Sequence, residues 1–352
     1  MARALELARR GLYTTTPNPR VGCVLVRDGR IIGEGFHERA GGPHAEVRAI
    51  DDARGRGEVT AGATAYVTLE PCNHTGRTGP CSEALIEARV ARVIAAMSDP
   101  DPQARHGAAR LCAAGIPVEL GLMEREARAL NRGFVSRIDR RRPWVRMKAA
   151  ASLDGRTALA NGQSQWISSP DARREAHHWR AQACAILTGV GTVRSDDPQL
   201  TVREVSTPRQ PVRIVVDRHA DISAKARVLQ GGALVVTAGA RNPAWRADVE
   251  VLALPERDGR IDLDALMREL ARRSMNEIHV EAGAGLNGAL LEQGLVDEML
   301  LYLAPCLLGD PARGMAHLGN GLANLADRIA LEITAIDRVG ADVRVLANVV
   351  RH

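Results

Sequence analysis

Short apolar runs alternate with longer amphipathic stretches along almost the whole chain, and the alternation breaks once, at RIDRRRP (137–143). Such alternation predicts α/β architecture, because a sheet buries its apolar faces beneath helices. Before the break the pattern reads as a helix over 2–10, a hairpin through VGCVLVRDGRIIGEGF, and a helix starting at His44. A strand at ATAYVTLEP, a helix from Cys81, a strand at RVIAAMSDP, the helix GAARLCAAG and a strand at IPVELG follow. Asp-Gly between two apolar runs is the strong short-range hairpin signal. After the break, WVRMKAAAS, AILTG, VRIVVD, ALVVTA, VEVLAL, EIHVEAG and DEMLLYLAP read as strands. SPDARREAHHWRAQA, DLDALMRELARR and LNGALLEQG read as helices, and ALEITAIDRVG with DVRVLANVV as a closing hairpin. This predicts two α/β domains, 1–142 and 143–352, the first three-layered, the second with a mainly parallel sheet and an antiparallel end. The polar, proline-ended RIDRRRP reads as the linker between them.

Composition narrows the class of protein. With 45% hydrophobic and 25% charged residues among 352, the chain has the make-up of a soluble globular protein. No apolar run approaches the roughly 20 residues needed to span a bilayer, and MARALELARRG lacks a signal-peptide core, so a cytoplasmic location is expected. A formal charge of +5 with only 3% aromatics argues against nucleic-acid binding, which favours basic stripes with interleaved aromatics. Of 47 basic residues only Lys148 and Lys225 are lysine, so each lysine invites a reason. The six cysteines, spread through a chain without a secretion signal, read as thiols or metal ligands rather than disulfides. Cys112, Cys184 and Cys306 read as small buried apolar residues.

PHAEVRAI (43–50) and LEPCNHTGRTGPC (69–81) carry the chemistry of the first half. His44, Cys72 and Cys81 would give Zn²⁺ three protein ligands, leaving the fourth position for water, as catalytic sites do. Zinc lowers the pKa of that water towards about 7. Glu46, two residues from His44 at the start of the same helix, can move the proton from the water to a leaving amine. H-x-E with a nearby cysteine pair is the pattern of zinc base deaminases, although here NHTGRTGP separates the cysteines. The competing reading is a structural zinc staple with His74 as the fourth ligand, a role in which Glu46 would have no purpose. His37 and His106 read as ordinary packing or surface residues.

The second half carries a fainter signal. Gly283, Gly285 and Gly288 are spaced G-x-G-x-x-G after a strand and before a helix, as in a pyrophosphate cradle. The acid expected some 20 residues later is missing, so these residues alone favour a simple tight turn over a cofactor cradle.

Taken together, TPNPRVGCVLV, GGPHAEVRAI, AYVTLEPCNHTGRTGPC, SLDGRTA, SQWIS, TVRSDDPQLTVR and VDEMLLYLAPCLLG resemble the bifunctional riboflavin-biosynthesis deaminase–reductases over essentially the whole chain. The resemblance implies a cytidine-deaminase-like first domain. There, zinc hydroxide removes the 2-amino group of 2,5-diamino-6-ribosylamino-4(3H)-pyrimidinone 5′-phosphate. It implies a dihydrofolate-reductase-like second domain that uses NADPH to reduce the ribosyl group to ribityl. Asn18 matches the base-contacting asparagine, and His74 and Arg77 match positions near the sugar phosphate. For the cofactor the matching positions are Ala150, Trp166, Thr192, Asp196 and Gly283, Ala284, Gly285, Leu286, Asn287, Gly288 and Ala289. For the second substrate they are Ser164, Arg180, Leu200, Arg203 and Glu281, the arginines suiting a phosphate through their planar fork. Lys148 and Glu281 match a pair expected to handle the proton and position the sugar. Three departures stand out: Gly79 replaces a usual proline, the stretch DPDPQARHGAARL is short, and Arg218 replaces a serine after VVD. The resemblance also suggests a homo-oligomer with small-molecule substrates. Rival readings are a tRNA-type deaminase with an accessory domain and a structural zinc module fused to a dehydrogenase.

Overall fold

A computed structural model describes residues 1–74, 79–239, 241–319 and 321–350. Two compact units divide the chain, Met1–Arg141 and Arg142–His352.

In the first unit, α1 (Ala2–Arg9), β1 (Gly22–Arg27), β2 (Arg30–Phe36), α2 (Ala45–Gly55), β3 (Thr64–Val67), α3 (Cys81–Glu87), β4 (Arg92–Ala95), α4 (Gly107–Ala113), β5 (Val118–Leu120), α5 (Glu124–Leu130) and α6 (Arg132–Arg140) follow in order. The sheet order is β2-β1-β3-β4-β5, antiparallel through β2-β1-β3 and parallel through β3-β4-β5. Glycines set how closely the helices lie. A Cβ at Gly22 would meet the Ala4 carbonyl oxygen of α1 at 2.0 Å, and one at Gly35 would meet the Ala45 carbonyl oxygen of α2 at 2.4 Å. Gly22 and Gly35 point to opposite faces, since Gly35 pairs with Cys23 and neighbouring strand residues alternate sides. Helices therefore cover both faces, giving three layers. Bare backbone on β2 lets the start of α2, and with it His44, sit against the sheet.

RIDRRRP is not an open linker. Most of it belongs to α6, which buries Phe134 and Ser136. With Ala127 buried on α5, the apolar positions follow helical spacing and the arginines take the outer face. Arg137 lays its guanidinium 5.6 Å from the Phe134 ring centre, so the charge run covers apolar surface with its stems.

The second unit runs β6 (Trp144–Ser152), β7 (Arg156–Ala158), α7 (Pro170–Gln182), β8 (Ala185–Gly189), α8 (Val190–Asp196), β9 (Val212–Val216), β10 (Ala233–Thr237), β11 (Val249–Ala253), β12 (Glu256–Arg257), β13 (Arg260–Ile261), α9 (Leu263–Arg272), β14 (Glu277–Val280), α10 (Ala284–Glu292), β15 (Glu298–Ala304), β16 (Arg313–Gly314), β17 (Leu331–Val339) and β18 (Asp342–Val349). Nine strands form one sheet in the order β11-β10-β9-β8-β14-β6-β15-β18-β17. The first seven are mutually parallel, and β18 and β17 add antiparallel pairings at one end. The central strands are buried almost throughout, as a parallel sheet covered on both faces requires. Helix α9 contributes Leu263, Leu266, Met267 and Leu270 to that core. The glycine stretch differs from expectation: Gly283 is already the N-cap of α10, so most of the motif is helical rather than a loop before the helix. Among the described residues no helix is long and apolar enough to cross a membrane.

Candidate active sites

In the first unit the fold gathers His44, Cys72 and Cys81, whose ligand atoms all lie within 4.8 Å of one another. His44 is the N-cap of α2 and Cys81 the first residue of α3, so two helix starts converge on one point. His44 Nδ1 stands 3.2 Å from Cys81 Sγ and 3.5 Å from Cys72 Sγ, and the Cys81 backbone N–H donates to Cys72 Sγ at 3.5 Å. Contact with the Cys81 thiol, opposed by burial and helped by His44, pulls the Cys72 thiol down to about 4. The Cys72 contact and burial push Cys81 well above the usual thiol range. Two sulfurs this close do not both ionise unless a cation lies between them. Glu46 is 3% exposed, and burial with the nearby Cys72 sulfur raises its carboxyl to about 7. Borderline-soft donors around a buried carboxylate suit Zn²⁺. No fourth His, Cys, Asp or Glu joins the three ligands among the described residues, and exposed His74 stands outside the group, against the staple reading.

Residues around the three ligands hold them in place. His37, read from the sequence as a packing residue, is buried and does more than pack. Its ring stands edge-on to His44 with centres 5.3 Å apart, Nδ1 lies 3.1 Å from the Pro43 carbonyl oxygen, and Nε2 lies 3.1 Å from Asn18 Nδ2. An N–H toward Pro43 makes Nε2 the acceptor from Asn18, so the fold carries Asn18 to the metal group. Buried Glu70 accepts from the backbone N–H groups of Asp99, His106 and Ala108. That one carboxylate fastens the short 99–107 loop to the turn before Cys72. A Cβ on Gly107 would lie 1.7 Å from the Pro71 carbonyl oxygen, so only glycine allows this approach. Among the described residues, nothing lies within 4 Å of where a Cβ on Gly79 would stand. Arg77 lies outside the described residues.

In the second unit a cleft of about 1170 Å³ opens beside the central strands β6, β8 and β14. It is lined by Lys148, Ala150, Ser164, Trp166, Arg180, Thr192, Asp196, Leu200, Arg203 and Glu281, together with Gly283 to Asn287. Parallel pairing of β14 with β6 explains one juxtaposition: Val280 pairs with Met147, so Glu281 and Lys148 come next on adjacent strands. Arg180 grips Glu281 in a fork, Nε to Oε1 at 2.5 Å and Nη2 to Oε2 at 2.8 Å, and Nη1 donates to the Thr201 carbonyl at 3.1 Å. Burial alone would raise the Glu281 carboxyl, but Arg180 overrides it and holds the group well below the usual carboxylate range. Burial lowers the Lys148 ammonium, Glu281 acting against the shift and Arg180 with it. Lys148 has no ion-pair partner of its own among the described residues.

The cleft has the features a dinucleotide needs. The N-terminus of α10 opens into it, presenting unpaired backbone N–H groups. Trp166 is 70% exposed with the Arg173 guanidinium 4.6 Å from its ring centre, an aromatic surface free for stacking. Asn287 Oδ1 is buried without a partner among the described residues, while its amide nitrogen is bound to Ala282 and Met315. Leu200 buries its side chain in the core with φ at 53°, so it can meet a ligand only through its backbone. Gly288 and Ala289, expected at the cofactor, do not line the cleft. One helical turn past the cap they have rotated away: Ala289 enters the core, and a Cβ on Gly288 would lie 1.8 Å from the His317 carbonyl oxygen. Arg218 is also elsewhere, forked to Glu256 at 2.9 and 2.7 Å.

Comparison with known proteins agrees with this geometry. Residues 1–97 match the cytidine and deoxycytidylate deaminase zinc-binding region, and residues 143–345 match the RibD C-terminal domain. The riboflavin biosynthesis protein RibD of Escherichia coli K12 is 51% identical, with 97% of this chain and 96% of that protein covered. Its Haemophilus influenzae counterpart is 46% identical, with 98% and 95% covered. Among solved structures, Acinetobacter baumannii RibD superposes with a TM-score of 0.91 at 41% identity over 99% of this chain and 98% of that one. A Thermotoga maritima diaminohydroxyphosphoribosylaminopyrimidine deaminase/5-amino-6-(5-phosphoribosylamino)uracil reductase superposes with a TM-score of 0.89 at 34% identity over 99% and 97%. With a three-ligand metal group in one unit and a dinucleotide-sized cleft in the other, this chain belongs to the RibD family of bifunctional riboflavin-biosynthesis enzymes, which join a zinc-binding pyrimidine deaminase to an NADPH-dependent reductase acting on small phosphorylated pyrimidines.

Proposed function

We propose that residues 1–142 carry the deaminase and 143–352 the reductase, with the following division of labour. His44, Cys72 and Cys81 hold Zn²⁺, which supplies a Lewis acid and a nucleophilic water at neutral pH. Glu46 would carry the proton from the attacking water to the departing 2-amino group of the pyrimidine. Asn18, oriented by His37, meets the ring edge, and His74 and Arg77 meet the sugar phosphate. The geometry of His44, Cys72, Cys81 and buried Glu46 carries this reading.

In the reductase, bound NADPH would supply the hydride needed at C1′ of the sugar. Gly283, Ala284, Gly285, Leu286, Asn287, Thr192, Asp196, Trp166 and Ala150 hold the cofactor. Ser164, Leu200, Arg180 and Arg203 hold the substrate. Because Arg180 keeps Glu281 ionised, the proton for the developing oxyanion or amine comes from Lys148, and Glu281 orients Lys148 and the sugar.

We also place the enzyme in the cytoplasm, without nucleic-acid partners, as a homo-oligomer. Supporting self-association, edge strand β17 leaves Leu331, Ile333 and Ile336 43%, 58% and 62% exposed.

The test of the first site is ammonia release from the diaminopyrimidine phosphate together with metal content. A chelator abolishes release. Glu46→Gln lowers it by about 10²–10⁴-fold while one zinc per chain stays bound. Full activity in Glu46→Gln would leave a structural zinc site instead.

A further inference from the structure

The reductase cleft holds a residue to which the assignments above give no role. His177 lies on α7, three residues before Arg180 and therefore on the same helix face. It is 7% exposed and lines the cleft beside Arg180, Leu200 and Arg203. The Arg203 backbone N–H donates to His177 Nδ1 at 3.2 Å. A backbone N–H can only donate, so Nδ1 carries no proton and the neutral ring carries its hydrogen on Nε2. Burial, then the charges of Arg180 and Arg203, hold the imidazole down to about 4, so it remains neutral. Nε2 has no protein partner among the described residues.

Donor supply shows why such a group is needed. A guanidinium has five N–H groups. Arg180 commits Nε and one N–H of Nη2 to Glu281 and one of Nη1 to Thr201. Arg203 turns Nη1 to Gln199 at 3.1 Å and Thr201 Oγ1 at 2.8 Å. Half of the ten guanidinium N–H groups are thus already taken by protein acceptors, so a further directed donor adds to what remains for a phosphate. We propose that His177 is a specificity-determining residue of the reductase, its Nε2–H donating to the substrate's phosphate between Arg180 and Arg203. The inference rests on the reading that these two arginines hold that phosphate. A neutral donor suits the place: it adds a directed hydrogen bond without adding a third positive charge beside two arginines.

Steady-state reduction at saturating NADPH tests it, using the phosphorylated substrate and the same compound without its phosphate. His177→Leu raises KM for the phosphorylated substrate about tenfold or more, the loss of one hydrogen bond to a charged group, and leaves kcat within about twofold. The dephosphorylated compound shows no such change. His177→Gln, which restores an N–H donor, recovers most of the loss. NADPH affinity, read by fluorescence titration, stays at the wild-type value in both variants. An equal rise in KM for both compounds, or a fall in NADPH affinity, overturns the proposal and leaves His177 as a prop for the 199–203 loop. Arg203→Met separates the two levels. If it lowers discrimination for the phosphate and His177→Leu does not, only the role of His177 is lost. If Arg203→Met also leaves discrimination unchanged, the clamp and the proposal fall together.

Discussion

Replacing Arg180 with methionine should cost the reductase unit far more than a surface ion pair would. The Arg180 and Glu281 side chains are each only 14% exposed and meet through two hydrogen bonds. Removing one partner of such a pair strands the other charge, at a cost of about 3–5 kcal/mol. For a unit the size of Arg142–His352, each kcal/mol moves the unfolding midpoint by about 2–4 °C, so the fall is about 6–20 °C. The pH dependence follows from the sign of the shift. In the wild type Glu281 is depressed, so its contribution to stability is full above its unfolded pKa of about 4.3 and is lost as pH falls through the lower folded value. In Arg180→Met, burial raises the Glu281 pKa above its unfolded value, so the penalty is full above that raised value and shrinks on acidification. The gap between wild type and variant is therefore widest at neutral pH and closes as the solution becomes acidic. Differential scanning calorimetry of the full chain between pH 5 and pH 8 reads it. Adding Glu281→Gln to Arg180→Met removes the stranded charge and should recover a large part of the loss. A midpoint drop of under about 3 °C at neutral pH, or a double variant no more stable than the single one, would refute the reasoning.

The Lys148→Ala variant should bind NADPH normally in fluorescence titrations but lose reduction by about 10²–10⁴-fold; reduction at the wild-type rate with NADPH saturating ends its role as proton donor. Gly288→Ala and Gly285→Ala should separate packing from ligand approach. At Gly288 a Cβ meets the His317 carbonyl oxygen at 1.8 Å, and overpacking of this kind costs about 1–3 kcal/mol in thermal unfolding. At Gly285 nothing among the described residues lies within 4 Å, so stability holds or rises while NADPH affinity falls; equal unfolding midpoints in the two variants would contradict the packing argument.

Local chemistry was legible wherever chemistry and periodicity coincided. Asp28-Gly29 marked the β1–β2 turn because few other pairs tolerate its backbone. His44 and Glu46 pointed to a metal site because an imidazole and a carboxylate two residues apart, at a helix start, need no long-range information to be noticed, and the fold does bring His44 to Cys72 and Cys81. Arginine-rich RIDRRRP misled because charge density masks helical spacing when the stems, rather than the heads, cover the core. His37 and Glu70 were missed for a different reason: each acts on residues from another element, and a single histidine or glutamate carries no local mark of that.

The sequence alone determined most of the strand and helix order, with α5, α6 and α8 missed, together with the division into two α/β domains and the zinc chemistry, since these depend on neighbours within a few residues. Tertiary structure alone decided which distant groups share a site. Register between β6 and β14 sets Lys148 beside Glu281, residues more than a hundred positions apart. The turn at Leu200 brings Arg203 back to His177. One helical turn beyond the cap takes Gly288 and Ala289 away from the cleft that Gly283 to Asn287 line. Strand pairing and helix phase settle these relations, and both depend on the packing of the whole core, which no short stretch of sequence encodes.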